Sequence, residues 1–289
     1  SGAGGLVGTE LIKQLTALGH EPIALVRREA TGDHEISWKP GVERLDPEIM
    51  ESIDAVVNLG GATTGRIPWT KNYMQTLISS RLDTTKTLVE AINASKNQPK
   101  VLVSGSASGI YGDRGDELLD ETAGKGEGFL SDLASAWEAE AQKANTRVVL
   151  ARTTLVMSKK LGALGRLLPL IKAGIGGPLG SGNQWWAWIS LEDEARAIIH
   201  LIDNDETTGA YNLTAPEPAT CKEMVVALGK ALKSPTFFRV PSWAMRLLVG
   251  VAADELLLCS QKMIATKLLS TGFEFNHPTL KDAVDYVVS

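Results

Sequence analysis

Gly2, Gly5 and Gly8 stand three residues apart in the opening stretch Ser1–Gly8, SGAGGLVG. Glycines at this spacing ahead of a helix suit the binding of a dinucleotide. The first permits a tight turn, the second lets a pyrophosphate approach the backbone, and the third lets helix and strand pack closely. The helix start, at Leu6 and Val7, adds free N–H groups and a partial positive charge for phosphate. A lone glycine triplet is equally compatible with a plain turn, so the elements that follow decide between the two. Leu11, Ile12, Leu15 and Leu18 fall on one helical face, Gly19 is placed to stop the helix, and the apolar run Pro22–Val26 then reads as a strand ending in Arg27-Arg28. Turn, helix and strand in this order open a βαβ unit, for which a further short strand is expected ahead of Ser1.

The end of that strand bears on which dinucleotide binds. An acid there accepts from the ribose hydroxyls of NAD, whereas arginine pairs with the 2′-phosphate of NADP. Arg27 and Arg28 favour NADP(H) over NAD(H), although Glu29 next door suits an NAD site and a solvated arginine pair is the plain alternative.

The elements that would position these residues alternate. Glu35–Trp38 reads as a short strand and Ala55–Leu59 as a buried one ending in Asn58-Leu59-Gly60-Gly61. Thr70–Ala94 reads as a long helix with Met74, Leu77, Ile78, Leu82, Thr85, Leu88, Val89 and Ile92 along one stripe. Val101–Ser104 is a strand running into Gly105–Asp113, Phe129–Lys143 a helix, and Arg147–Ala151 another strand. Such alternation means α/β: a Rossmann-type doubly wound parallel sheet, with ligands at the carboxyl ends of its strands. Gly2, Gly5, Leu6, Val7, Gly8, Arg27, Arg28, Asn58, Leu59, Gly60, Gly61 and Ser104 all fall at those ends and are the expected cofactor contacts.

After Thr153 the texture changes. Gly162–Gly182 is glycine-rich, and Trp185-Trp186-Ala187-Trp188 follows. A helix near Leu191–Ile202 and a strand near Ala210–Leu213 return to the sheet, and helices are expected near Lys222–Leu232, Ser242–Val249 and Thr279–Val287. The expected division is a nucleotide-binding domain of residues 1–153 completed by about 187–214. A smaller, discontinuous C-terminal lobe takes 154–186 and 215–289.

Composition narrows the class. The 289 residues carry a net charge of −5, 44% hydrophobic and 22% charged residues. A large core follows, and disorder does not. With no long basic run, neither nucleic acid nor an anionic membrane is the expected partner. No stretch approaches the about 20 continuous apolar residues of a bilayer span. Two distant cysteines, Cys221 and Cys259, read as cytosolic thiols, and four scattered histidines suggest no metal site. The expected setting is cytoplasmic, as a monomer or homodimer acting on a small molecule.

The glycine triplet, the Asn-Leu-Gly-Gly strand end and Ser104–Asp113, SGSASGIYGD, together resemble the extended short-chain dehydrogenase/reductase superfamily of nucleotide-sugar epimerases. A narrower resemblance runs over nearly the whole chain. Arg166–Asp193 with its Gly-Gly-Pro-Leu-Gly-Ser-Gly, Phe129–Ala141 (FLSDLASAWEAEA) and Thr271–Val284 (TGFEFNHPTLKDAV) are similar to the "epimerase family proteins", a group described as homologues of a cell-division inhibitor. The resemblance implies an NADP-binding fold with a small substrate lobe. It also implies a Tyr whose proton is mobilised by a Lys four residues on, and a Ser or Thr holding the substrate oxygen. Here the chain departs. Tyr73, Tyr111 and Tyr211 are followed four residues on by Leu77, Gly115 and Ala215, and no Tyr-x-x-x-Lys occurs. Aligned on Glu138, the Tyr and Lys positions hold Leu130 and Ala134; one residue earlier they hold Phe129 and Leu133. Ser106, or Ser108 given a longer loop, matches the Ser/Thr position. Ser131, Glu138, Trp185 and Trp186 are candidates for lining the substrate, each with a structural reading beside it. Asp132 shares that reading, and Arg152, Arg166 and Lys172 are weaker candidates for an anionic substrate.

The expected function is an NADP(H)-dependent oxidoreductase or epimerase-like enzyme with an atypical site. The alternative is a catalytically inert NADP-binding regulator or scaffold, with a nucleotide-sugar epimerase proper as a third reading.

Overall fold

A computed structural model describes residues 1–159 and 162–289, with Gly162, Ala163, Leu164 and Arg166 described by backbone alone. Twelve strands are described: β1 Ala24–Val26, β2 Glu35–Ser37, β3 Ala55–Asn58, β4 Val101–Ala107, β5 Leu118–Leu119, β6 Arg147–Thr153, β7 Leu155–Met157, β8 Trp185–Trp186, β9 Trp188–Ser190, β10 Gly209–Leu213, β11 Ala219–Thr220 and β12 Lys262–Met263. The helices are α1 Leu6–Ala17, α2 Lys71–Ala94, α3 Phe129–Ala141, α4 Gly162–Lys172, α5 Leu191–Asp203, α6 Cys221–Ala231, α7 Ser242–Val249, α8 Thr266–Ser270 and α9 Leu280–Val288. The main sheet is parallel, in the order β10-β6-β4-β3.

Alternation along each strand divides its side chains between two helical layers. Val56, Leu102 and Leu150 meet Leu88 and Ile92 of α2 and Ala141 of α3 on one face. Val101, Val103, Val149 and Ala151 meet Leu11 of α1 and Ala195 and Ile198 of α5 on the other. Helices on both faces bury both sides of the parallel strands, which is why these strands read as apolar runs.

The parallel pair β1-β2 stands apart from the main sheet. Between β1 and β3 lies a cavity of about 750 Å³, lined by Leu11, Ala24, Leu25, Ala55, Val57 and Val101 among others. Ser1 already runs along β3: its nitrogen donates to Val57 O at 2.6 Å and its carbonyl accepts from Leu59 N at 3.2 Å.

A second apolar cluster joins Leu168 and Ile171 of α4, Trp186, Trp188, Met224 and Val225 of α6, and Ala283, Val284 and Val287 of α9. The glycine-rich stretch therefore contains a helix, α4, that the sequence reading lacks. Gly162, Gly165 and Pro169 weaken its intrinsic propensity, and burial of Leu168 and Ile171 supplies what propensity does not. Among the described residues no helix is long and apolar enough to cross a membrane.

Candidate functional site at the carboxyl edge of the sheet

The opening glycines form a turn pressed against β3. Gly2 has φ +77°, and a Cβ there would stand 2.6 Å from Leu59 C and O. At Gly8, buried in α1, a Cβ would stand 2.3 Å from Gly2 O. Gly8→Ala is expected to cost about 1–3 kcal/mol of stability, because backbone and not a pliable side chain blocks the methyl. Thermal unfolding of the variant checks this. Gly4 and Gly5 are exposed, and Gly5 caps α1 with no side-chain hydrogen bond and no acid in the first turn. The first N–H groups of a helix have no acceptor within it, and those of α1, at Leu6–Gly8, hydrogen-bond to no described residue. This donor set fits a pyrophosphate. By contrast, Thr70, Ser190, Thr220 and Thr279 each cap their own helix with a hydroxyl.

The two arginines at the end of β1 differ. Arg28 forms a bidentate pair with Glu35, with Nη1 2.7 Å from Oε2, and donates to Glu29 O at 2.8 Å. That carboxylate is held down to about 2 by Arg28 and by the Thr31 amide and hydroxyl. Arg27 is exposed and makes no hydrogen bond or ion pair among the described residues. Of the expected pair, only Arg27 is a free cation.

In parallel register, Asn58, Ser104 and Leu150 form one row across the sheet, and Ser106, Arg152 and Asn212 form a row one pleat further on. Both rows face α2 and α3, and their polar groups are spent internally. Asn58 Nδ2 donates to Thr85 Oγ1 at 2.8 Å, and its Oδ1 accepts from Ser1 Oγ at 2.7 Å. Ser104 is fully buried, its hydroxyl 3.3 Å from Gly105 O. Ser106 Oγ donates to Glu138 Oε1 at 2.6 Å. The same carboxylate takes Arg152 Nε at 2.8 Å and Nη2 at 3.0 Å. Arg152 Nη1 donates to Tyr111 OH at 2.7 Å, and that hydroxyl donates to Asn212 Oδ1 at 2.7 Å. Burial pushes the Tyr111 phenol up. Burial alone would lower Arg152, but Glu138 and Tyr111 raise it above its ordinary value.

Residues 1–214 match the sequence profile of the NAD dependent epimerase/dehydratase family. The chain belongs to that family. Residues 240–287 match a domain of unknown function. An epimerase family protein of Mycobacterium tuberculosis is 39% identical over 292 residues, covering 100% of this chain and 96% of its own length. One of Staphylococcus aureus is 35% identical over 300 residues, covering 100% and 98%. The crystal structure of the human epimerase family protein SDR39U1 with NADPH superposes with a TM-score of 0.92 at 31% identity, covering 99% of this chain and 97% of that one.

Set in the epimerase/dehydratase fold, several residues named from sequence take other places. Asn58 and Ser104 have no side-chain surface left for a cofactor: Asn58 latches the turn to α2, and Gly60 and Gly61 remain at the surface. Ser106 is committed to Glu138, whereas Ser108 is half-buried and its hydroxyl makes no hydrogen bond among the described residues. Glu138 is the anchor of the Arg152 pair, its carboxylate taken up by Arg152 and Ser106. Ser131 is fully buried. Its buried hydroxyl lies 2.7 Å from Ile110 O and 2.9 Å from Gly126 O, fastening the loop after β4. Trp186 lies in the second core, its Nε1 3.2 Å from Leu257 O. Trp185 is half-buried, donates to Asp116 Oδ1 at 2.7 Å and carries Lys262 over its ring. Lys172 is exposed, and the Arg166 side chain lies outside the described residues.

The sequence reading missed two charged residues. Glu255 accepts from Phe129 N at 2.9 Å and Leu130 N at 3.0 Å, capping α3. No local pattern reveals so distant a cap. Arg81 is half-buried on α2, against Gly61 and Trp137. A signal for it exists: it stands four residues after Leu77 and four before Thr85, inside the buried stripe.

Proposed function

We propose that this chain binds NADP(H) at the carboxyl edge of its sheet and acts as an oxidoreductase or epimerase-like enzyme with an atypical site. The free cation of Arg27 at the end of β1 carries the choice of cofactor, because the 2′-phosphate is the group that separates NADP from NAD. The turn at Gly2, Gly5 and Gly8, with the backbone of Leu6 and Val7, holds the pyrophosphate. Leu59, Gly60 and Gly61 flank the adenosine side, and the bound nicotinamide supplies hydride chemistry. Ser108 is the residue with a hydroxyl to offer a substrate oxygen. The capture of NADPH by the human relative supports this reading.

Arg27→Ala is expected to weaken NADPH about 10–100-fold, the worth of a charge-assisted contact, with NADH nearly unchanged. Quenching of tryptophan fluorescence in titrations with both nucleotides measures it. Equal losses for both, or none for either, would remove Arg27 from the 2′-phosphate.

The closed Ser106–Glu138–Arg152–Tyr111 network, with no Tyr–Lys pair beside it, favours a second reading: an inert NADP(H)-binding regulator. Ser108→Ala separates the two. If turnover of bound NADPH with carbonyl substrates falls while affinity holds, the chain is an enzyme. If no turnover exists to lose, the regulator reading stands.

A further inference from the structure

The surface formed by α7 and the loop after α4 is apolar and bare. Ile175, Phe237, Phe238, Trp243, Leu247 and Leu248 are all exposed, Phe237 by 83% and Leu247 by 79%. They come from segments that lie side by side. Val240 N donates to Pro178 O at 3.1 Å and Gly180 N to Val240 O at 2.8 Å, which lays the stretch before α7 along the loop after α4. In α7 itself Met245 is buried, whereas Trp243, Leu247 and Leu248 are exposed. A surface helix ordinarily turns its large apolar side chains to the core. Monomeric soluble proteins rarely leave a contiguous set of them in water, and such a patch marks an interaction site.

The frame of this surface is cationic. Lys172, Lys230, Lys233 and Arg239 are exposed and enter no ion pair among the described residues, while Arg246 on α7 pairs with Asp254. Ser234 Oγ donates to Lys172 O at 3.3 Å, so the lysines at the ends of α4 and α6 lie near one another. No Asp or Glu stands between Glu140 and Glu192, or between Glu223 and Asp254, although the chain carries 34 acids and a net charge of −5. Composition conceals this asymmetry. The cations belong to separate segments that meet only in the fold, so no long basic run marks them. Apolar tips ringed by unpaired lysine and arginine match an anionic lipid surface: aromatic and aliphatic side chains enter the headgroup layer, and the cations meet its phosphates.

We infer that this face docks on an anionic lipid surface, with Phe237, Trp243 and Leu247 entering the interface and Lys233 and Arg239 meeting the headgroups. The expectation against an anionic membrane holds for the chain on average and not for this face. The charge distribution favours lipid over a second copy of the chain, because a two-fold contact would set the cationic face against itself. The protruding tips favour lipid over a folded acidic partner, because a fluid interface accepts them without matching pockets. Docking would bring to the lipid the cleft in which Arg246 and Asp254 meet Gly109 and Gly112, next to the loop of Ser108. The inference is independent of the nucleotide reading.

The test is flotation of the full chain with vesicles of equal parts phosphatidylcholine and phosphatidylglycerol, and with vesicles of phosphatidylcholine alone. Two paired variants accompany wild type: Phe237→Ser with Leu247→Ser, and Lys233→Glu with Arg239→Glu. All four positions are exposed, and the melting temperature of each variant checks that it folds. Should a pair not fold, the single substitution at Leu247 or Arg239 replaces it. Wild type is expected to float with the anionic vesicles and far less with the neutral ones. Each pair is expected to lower that partition about 10–100-fold. Failure of wild type to float with anionic vesicles at low salt overturns the inference. Loss in the charge pair alone also overturns it, since loose attraction would then act without entry of the apolar tips. Loss in the apolar pair alone does the same, since anionic lipid would then play no part. Light scattering covers the remaining outcome. A wild-type dimer that Phe237→Ser with Leu247→Ser dissociates, without vesicle binding, makes the face a contact between copies and overturns the lipid assignment.

Discussion

Glu138→Ala is expected to lose on the order of 3–5 kcal/mol of folding stability. The substitution removes the carboxylate that takes two hydrogen bonds from Arg152 and one from Ser106. Both charged side chains of the pair are only 10% exposed, so the abandoned guanidinium has little water to turn to. It also donates to Tyr111, whose hydroxyl reaches β10 through Asn212, so the disturbance spans β4, β6 and β10. Glu138→Leu combined with Arg152→Met is expected to be less damaging than Glu138→Ala alone, because no buried charge is then left unpaired. Denaturant unfolding of the three proteins checks the order. A single variant within about 1 kcal/mol of wild type would show that the pair does not anchor the sheet.

The second large effect concerns Glu194 on α5. Its carboxyl is fully buried, accepts one hydrogen bond from Thr153 Oγ1 at 2.6 Å and leaves Oε2 without a partner. Burial pushes its pKa up to about 8, against 4.5 unperturbed. The sign follows from the protons bound. Between these values the unfolded chain has released its proton and the folded chain retains it, so stability declines as pH rises from about 4.5 to 8 and levels off above. Glu194→Gln keeps the shape without the ionisation. The variant is expected to match wild type near pH 4 and to exceed it above pH 8 by on the order of 5 kcal/mol. Urea midpoints at pH 5, 7 and 9 measure the divergence. Parallel profiles for the two proteins would show that Glu194 is solvated in the folded state.

Much of the frame was legible in the chain because it follows from local periodicity. The 3.6-residue stripe from Met74 to Ile92 places α2 within one residue of its expected start, and the apolar runs at Ala55 and Val101 mark β3 and β4. The glycine spacing marks the turn, since only residues without a Cβ fit so close to Leu59 and Gly2. Absence of a Tyr–Lys pair is also a property of sequence alone.

What tertiary structure decided is which polar groups are already spent. Arg27 and Arg28 are neighbours in sequence and equivalent by type. Only the pairing of β1 with β2 brings Glu35 to Arg28 and leaves Arg27 free. From sequence Ser106 is the first choice for the substrate oxygen and Ser108 the alternative, but β4 aligns Ser106 with Arg152, and α3 delivers Glu138 to both. Arg81 gained its place only when α2 and α3 packed and set its guanidinium over Trp137, within reach of Ala62 O. Periodicity sets which face a side chain occupies. Whether a charge is satisfied depends on partners tens of residues away, and strand register and helix packing alone bring those together.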